Sequence, residues 1–176
     1  MKLNNHRESW HDVPVSEGTL IPSIKSSSKN EHPVRPQYGA LPYRITDAGA
    51  LEILLVTTRK TKRWIIPKGW PIKGLKAAKS AAREAYEEAG VRGTTGAKSI
   101  GLFTYNKRLV EYGTTLPCAV KVFPLLVKRQ EKTWPESRQR QTTWFAPEET
   151  LSAIKDEGLR ELISAFVECL RASNSR

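Results

Sequence analysis

The 176-residue chain sets 29 lysines and arginines against 18 aspartates and glutamates, a formal net charge of +11, with 39% hydrophobic residues. That length suits about one domain, and two cysteines, Cys118 and Cys169, far apart and outside any metal-ligand spacing, exclude a disulfide scaffold or a cysteine zinc site. No apolar h-region follows the start and no uninterrupted apolar run approaches the roughly 20 residues of a membrane span, so the expectation is a soluble protein of a reducing, cytoplasmic compartment with no membrane partner.

Residues 1–35 hold few apolar clusters, the run Ser26-Ser27-Ser28, and five cations against four acids. Such a segment cannot bury enough surface to offset its ordering entropy. It reads as a flexible or wrapped extension, with residues 36–176 as the folded domain. A domain of that size buries roughly 70% of its unfolded surface and folds without staples.

Along the domain, residues 37–44 and 51–58 are strand-like, joined by a turn at Asp47-Ala48-Gly49. Residues 64–67 form a short apolar strand cut by Pro67. Residues 76–89 give the clearest helix, stopped by Gly90. Residues 98–105 and 116–128 read as strands, the second buried, and residues 142–145 as another that runs into a helix start at Pro147. Residues 159–170 repeat apolar side chains at helical spacing and close the fold as an amphipathic helix. Strands and helices without regular βα alternation predict an α+β chain, a mixed sheet between helices.

The cationic excess lies within the fold. Arg59, Lys60, Lys62, Arg63, Lys68, Lys73, Lys76 and Lys79 follow one another with no acid among them. Leading into an acidic helix, this stretch points to a multiply charged anionic ligand.

That helix carries the chemistry. At 100° per residue, Ala78, Ala81, Ala82, Ala85 and Ala89 fall within an arc of about 100° that can pack closely on a sheet. Glu84 and Glu88 share a face, with Glu87 about 60° from Glu84, and Arg83 stands four residues before Glu87. The three carboxylates sit near the helix C-terminus, where the macrodipole disfavours negative charge. Solvation alone gives no reason to crowd them there. A hard dication does, because Mg²⁺ takes oxygen ligands beside substrate phosphates.

Gly69, Arg83, Glu84, Glu87, Glu88, Gly90 and Val91 stand in register with the Nudix box, which runs Gly, five residues, Glu, seven residues, Arg-Glu-aliphatic-x-Glu-Glu-x-Gly-aliphatic. Ala85 fills the aliphatic slot and Leu75 replaces the first Glu. The chain resembles the Nudix hydrolase family from roughly residue 36 to residue 172. Within it, Arg63-Trp-Ile-Ile-Pro-Lys-Gly69 and the following Gly90-Val-Arg-Gly-Thr-Thr-Gly96 are similar to the diphosphoinositol polyphosphate and diadenosine polyphosphate hydrolases.

The resemblance implies an α/β/α sandwich with a loop-helix-loop motif, and hydrolysis of a diphosphate in a nucleoside-diphosphate-X, dinucleoside polyphosphate or diphosphoinositol polyphosphate, assisted by Mg²⁺ or Mn²⁺. It implies Glu84 and Glu88 as metal ligands together with a carbonyl near Gly69. Glu87 joins the metal or acts as base on the attacking water, and Arg83 orients the carboxylates. Lys68, Arg63 and Arg140 are the candidate phosphate contacts. Two other readings stand beside this one. A degenerate domain that senses a nucleotide or polyphosphate is motivated by Leu75, which can neither bind metal nor accept a hydrogen bond. An RNA 5′-pyrophosphohydrolase is motivated by the charge, although no nucleic-acid-binding signature accompanies it. The expected state is a monomer or homodimer.

Overall fold

A computed structural model describes residues 33–109 and 113–174. The predicted extension, apart from residues 33–35, lies outside them. The element order is β1 (Arg35–Ile45), β2 (Leu51–Thr57), β3 (Trp64–Ile65), β4 (Lys68–Gly69), α1 (Ala77–Ala89), β5 (Val91–Thr95), β6 (Gly101–Leu109), β7 (Thr114–Gln130), β8 (Thr142–Phe145), α2 (Pro147–Ala153) and α3 (Glu157–Asn174).

The strands form one mixed sheet in the order β3-β2-β1-β7-β5, with β4 paired to β1, β6 to β7 and β8 to β2. The β1–β7 ladder is parallel, and the other pairings are antiparallel. Alternation along β1, β2 and β7 gives the sheet two apolar faces, as a sheet covered on both sides requires. On one face Leu41, Ile53, Leu55, Val120 and Val122 meet Leu159, Ile163 and Phe166 of α3. On the other, Ala40, Leu54, Val56, Phe123 and Leu125 meet Ala81, Ala85 and Ala89 of α1, all three fully buried. Each large aliphatic chain buried this way contributes about 1.5–3 kcal/mol of transfer free energy. The alanine side of α1 predicted from sequence is the packed side, and the layering is the α/β/α sandwich.

Two short strands escape the sequence reading. In β5, Val91-Arg-Gly-Thr-Thr95 looks like a turn, yet it pairs with β7 through a register shift between Arg92 and Gly93. Any Cβ at Gly93 would collide with the Leu126 carbonyl, so the glycine serves close strand approach. In β4, Lys68 and Gly69 pair with Gly39 and Tyr38 of β1. This pins the start of the predicted motif to the centre of the sheet.

Candidate active site

Gly74, in the left-handed region at φ 83°, turns the chain into α1, whose lysine cap supplies no side-chain acceptor and whose first turn has no acid. α1 crosses the sheet so that Glu84 and Glu88 face β4. The Glu84 carboxylate lies directly against Gly69, where any side-chain carbon would overlap it. The backbone N–H of Lys68 donates to Glu88 Oε2 at 3.3 Å. The glycine at the head of the motif is therefore a seat for a carboxylate.

Glu88 is buried, its side chain 9% exposed, and ion-paired with Arg140, itself 8% exposed. Burial pushes the Glu88 carboxyl up to about 7; Arg140 and Lys68 oppose that rise, and the nearby Glu84 and Glu136 add to it. Glu84 is raised by burial first and then by Glu87 and Glu136. The Lys68 ammonium is lowered mainly by its own burial, with Glu88 resisting and Lys107 and Arg140 adding to the drop. Its Nζ lies 4.9 Å from the centre of the Tyr105 ring. Glu87 faces outward and accepts a 2.5 Å hydrogen bond from Arg83 Nε.

The C-terminal end of α1 is closed by a distant loop. Gly90 ends the helix at φ 69°, and Trp134 covers it so closely that a Cβ there would strike the indole. Trp134 Nε1 donates to the Glu88 carbonyl at 3.1 Å, the Glu136 N–H to the Glu87 carbonyl at 3.0 Å, and Gln130 Nε2 to the Ala89 carbonyl at 3.2 Å. These donors satisfy carbonyls that any helix end leaves open. The loop also delivers Arg140, whose Nε binds Glu136 and whose Nη1 donates to the Thr57 carbonyl at 2.9 Å. Three helix carboxylates thus tolerate one another near the negative end of the dipole because Arg140, Lys68 and Arg83 are interleaved with them.

Among the described residues no three acidic, histidine or cysteine side chains converge as an all-protein metal cage. Glu84, half-buried, and Glu88, buried, instead make a two-carboxylate face against the Lys68–Gly69 backbone. That donor set suits Mg²⁺, which is commonly held by one or two carboxylates plus waters and phosphates.

A NUDIX domain model matches residues 35–166. The chain belongs to the Nudix hydrolase family. It is 34% identical to Nudix hydrolase 21, chloroplastic, of Arabidopsis thaliana over 176 aligned positions, covering 95% of this chain and 86% of that one. It is 32% identical to diphosphoinositol polyphosphate phosphohydrolase 3-alpha of Mus musculus over 107 positions, 59% of this chain and 60% of that one. The crystal structure of a C. elegans Ap4A hydrolase binary complex shares the fold with a TM-score of 0.60 at 21% identity, covering 79% of this chain and 99% of that one. Family membership carries pyrophosphohydrolase activity on nucleotide-like small molecules.

This Nudix hydrolase gathers Gly69, Glu84, Glu88 and Lys68 in one place, with Glu87 and Arg83 on the adjoining flank of α1. Arg63 sits on the turn between β2 and β3, where its backbone N–H bonds the Thr58 hydroxyl at 3.0 Å and its Nε the Thr61 hydroxyl at 3.3 Å. Arg140 is turned inward onto Glu88 and Glu136, a different posture from an open phosphate clamp. Glu136, which touches Arg140 and lies 3.7 Å from Arg59 Nη1, is the site residue the sequence reading missed. Its only signal was the i,i+4 spacing to Arg140.

Proposed function

We propose that this protein hydrolyses the diphosphate linkage of a highly phosphorylated small molecule, of the diphosphoinositol polyphosphate or dinucleoside polyphosphate class, with Mg²⁺ or Mn²⁺. The observation that carries the reading is the pair Glu84 and Glu88, set against the Lys68–Gly69 backbone with Glu88 buried and cations among them. Glu84, Glu88 and the Gly69 carbonyl would hold the metal, which supplies charge neutralisation and a lowered water pKa when bound. Lys68 holds a fixed positive charge beside the carboxylates, where it stabilises charge developing on phosphate oxygens. Glu87, fixed by Arg83, is the carboxylate available to take a proton from the attacking water.

The substrate class is supported by cations on the α3-facing side of the sheet. The Lys107 ammonium lies 4.7 Å and the Arg35 guanidinium 5.9 Å from the Trp70 ring centre, next to Gly69 in sequence. It is further supported by the activities for which the mouse and C. elegans proteins are named.

Leu75 does not leave Arg83 loose, since Arg83 is anchored on Glu87. This favours turnover over sensing. The test is phosphate release from diadenosine polyphosphates, ADP-ribose, nucleoside triphosphates, a diphosphoinositol phosphate and 5′-triphosphate RNA, each with Mg²⁺ or EDTA. Metal-dependent turnover of the first or fourth class supports the proposal. Turnover of RNA alone replaces it with the RNA-end reading, and tight binding without turnover replaces it with the sensor.

A further inference from the structure

The flank of α1 opposite the carboxylates holds a second feature. A cavity of about 870 Å³ opens between the first half of α1, the segment joining β5 to β6, and β7. Its volume is in the range of small-molecule sites. Lys76, Lys79, Lys98 and Lys121 line it, with the hydroxyls of Thr94 and Ser99, and no aspartate or glutamate contributes to the wall. None of the four lysine side chains forms an ion pair or hydrogen bond among the described residues. The floor is apolar, made by Phe123 and the α1 alanines.

This cavity is separate from the candidate active site. Its helix wall, Ala78 and Ala82, lies roughly 9–15 Å along the axis from Glu88 and about 80–120° around it, from the rise and twist of an α-helix. Ala81 and Ala85, wedged on the sheet at 0% exposure, stand between the two flanks.

Four exposed lysines line one concavity, and no aspartate or glutamate of its wall offsets their charge. We propose that this cavity is a second binding site, for a multiply phosphorylated small molecule. The lysines and hydroxyls take the phosphate oxygens, and the open N-terminus of α1, with no acid in its first turn, adds backbone N–H groups and the positive end of the helix dipole. The wall holds no carboxylate that could ligate a metal, and the lysines themselves supply the counter-charge to phosphate.

The experiment is an amide NMR titration of the full chain with inorganic tripolyphosphate, in EDTA at 0.15 M salt. The expected result is saturable shifts at Ala78, Thr94 and Ser99, with affinity lowered at least about 30-fold in Lys79→Glu/Lys121→Glu, the loss of two charge-assisted contacts. A charge-matched control, Lys132→Glu/Lys155→Glu on other exposed surface, should change affinity by less than about threefold, because distant charges are screened at that salt. Lys79→Gln/Lys121→Gln repeats the test without added acid. The proposal is overturned by three results: no saturable shift at those amides, shifts confined to the Lys68 and Glu84 region, or equal losses in the pocket variant and the control. No turnover enters the readout, so failure of the hydrolase reading and failure of this site are separable.

Discussion

Replacing Arg140 by methionine isolates the electrostatics of the site. Arg140 is the inner partner of Glu88, with side chains 8% and 9% exposed. Breaking a buried ion pair on one side typically costs 3–5 kcal/mol, because the remaining charge stays buried. Lys68 also attracts Glu88, which places this case near the low end, at about 3 kcal/mol. The cost should depend on pH, with a definite sign. Burial pushes the Glu88 carboxyl up to about 7 from its ordinary 4.5, so between those values the native state binds more protons than the unfolded chain. Stability from this group therefore falls as pH rises through that window, by up to about 3 kcal/mol in all, and then levels off. At pH 6 Glu88 is largely neutral and Arg140→Met loses chiefly the hydrogen bond to the Thr57 carbonyl and the Glu136 pair, about 1 kcal/mol. At pH 8.5 the full cost of about 3 kcal/mol applies. With roughly 2–4 °C per kcal/mol for a chain of this size, the melting temperature in EDTA should drop by about 2–4 °C at pH 6 and about 6–12 °C at pH 8.5. Mg²⁺ should recover more stability in the variant than in the wild type, since the ion and Arg140 compete for one carboxylate. Equal drops at both pH values, with Mg²⁺ making no difference, would refute the reasoning.

Glu88→Gln should lower turnover on the responsive substrate by about 10²-fold or more while the far-ultraviolet circular dichroism stays native; unchanged turnover removes Glu88 from the site. Gly69→Ala inserts a Cβ into the Glu84 carboxylate, so kcat should fall by at least about tenfold, since small displacements of reacting groups are costly. Near-wild-type kcat would show that Glu84 moves freely. Leu75→Glu restores an acid on a side chain that is 45% exposed, and denaturant titration should show a change within about 0.5 kcal/mol, as for surface ion pairs. A much larger gain would mean that Arg83 is poorly held by Glu87.

What was legible in the sequence is what depends on neighbours in the chain. Helix α1 announced its packed side through alanines at helical spacing, and the same geometry placed Glu84 with Glu88 and Arg83 beside Glu87. The mixed sheet between helices followed from strands and helices without regular βα alternation, and the family resemblance implied the sandwich. Strands β4 and β5 were hidden because they are held by partners far along the chain, and because Gly69 and Gly93 look like turn residues when they are positions of close approach. Arg63 was read as a phosphate contact for its charge; what sequence did not show is that the Thr58 and Thr61 hydroxyls take its backbone N–H and Nε.

The arrangement of charge required the fold. From sequence, three carboxylates near the end of α1 called for a cation, and a metal ion was the natural candidate. The structure supplies a protein cation too: Arg140, 52 residues from Glu88, arrives on a loop that also caps the helix through Trp134 and Glu136. Capping and charge compensation are thus done by one segment, so a change that loosens Trp134 from Gly90 also withdraws Arg140 from Glu88. This coupling holds Glu88 without help from position 75. The missing acid would have served Arg83, whose needs Glu87 meets, while the buried and costly member of the cluster, Glu88, depends on a loop that the substitution does not touch.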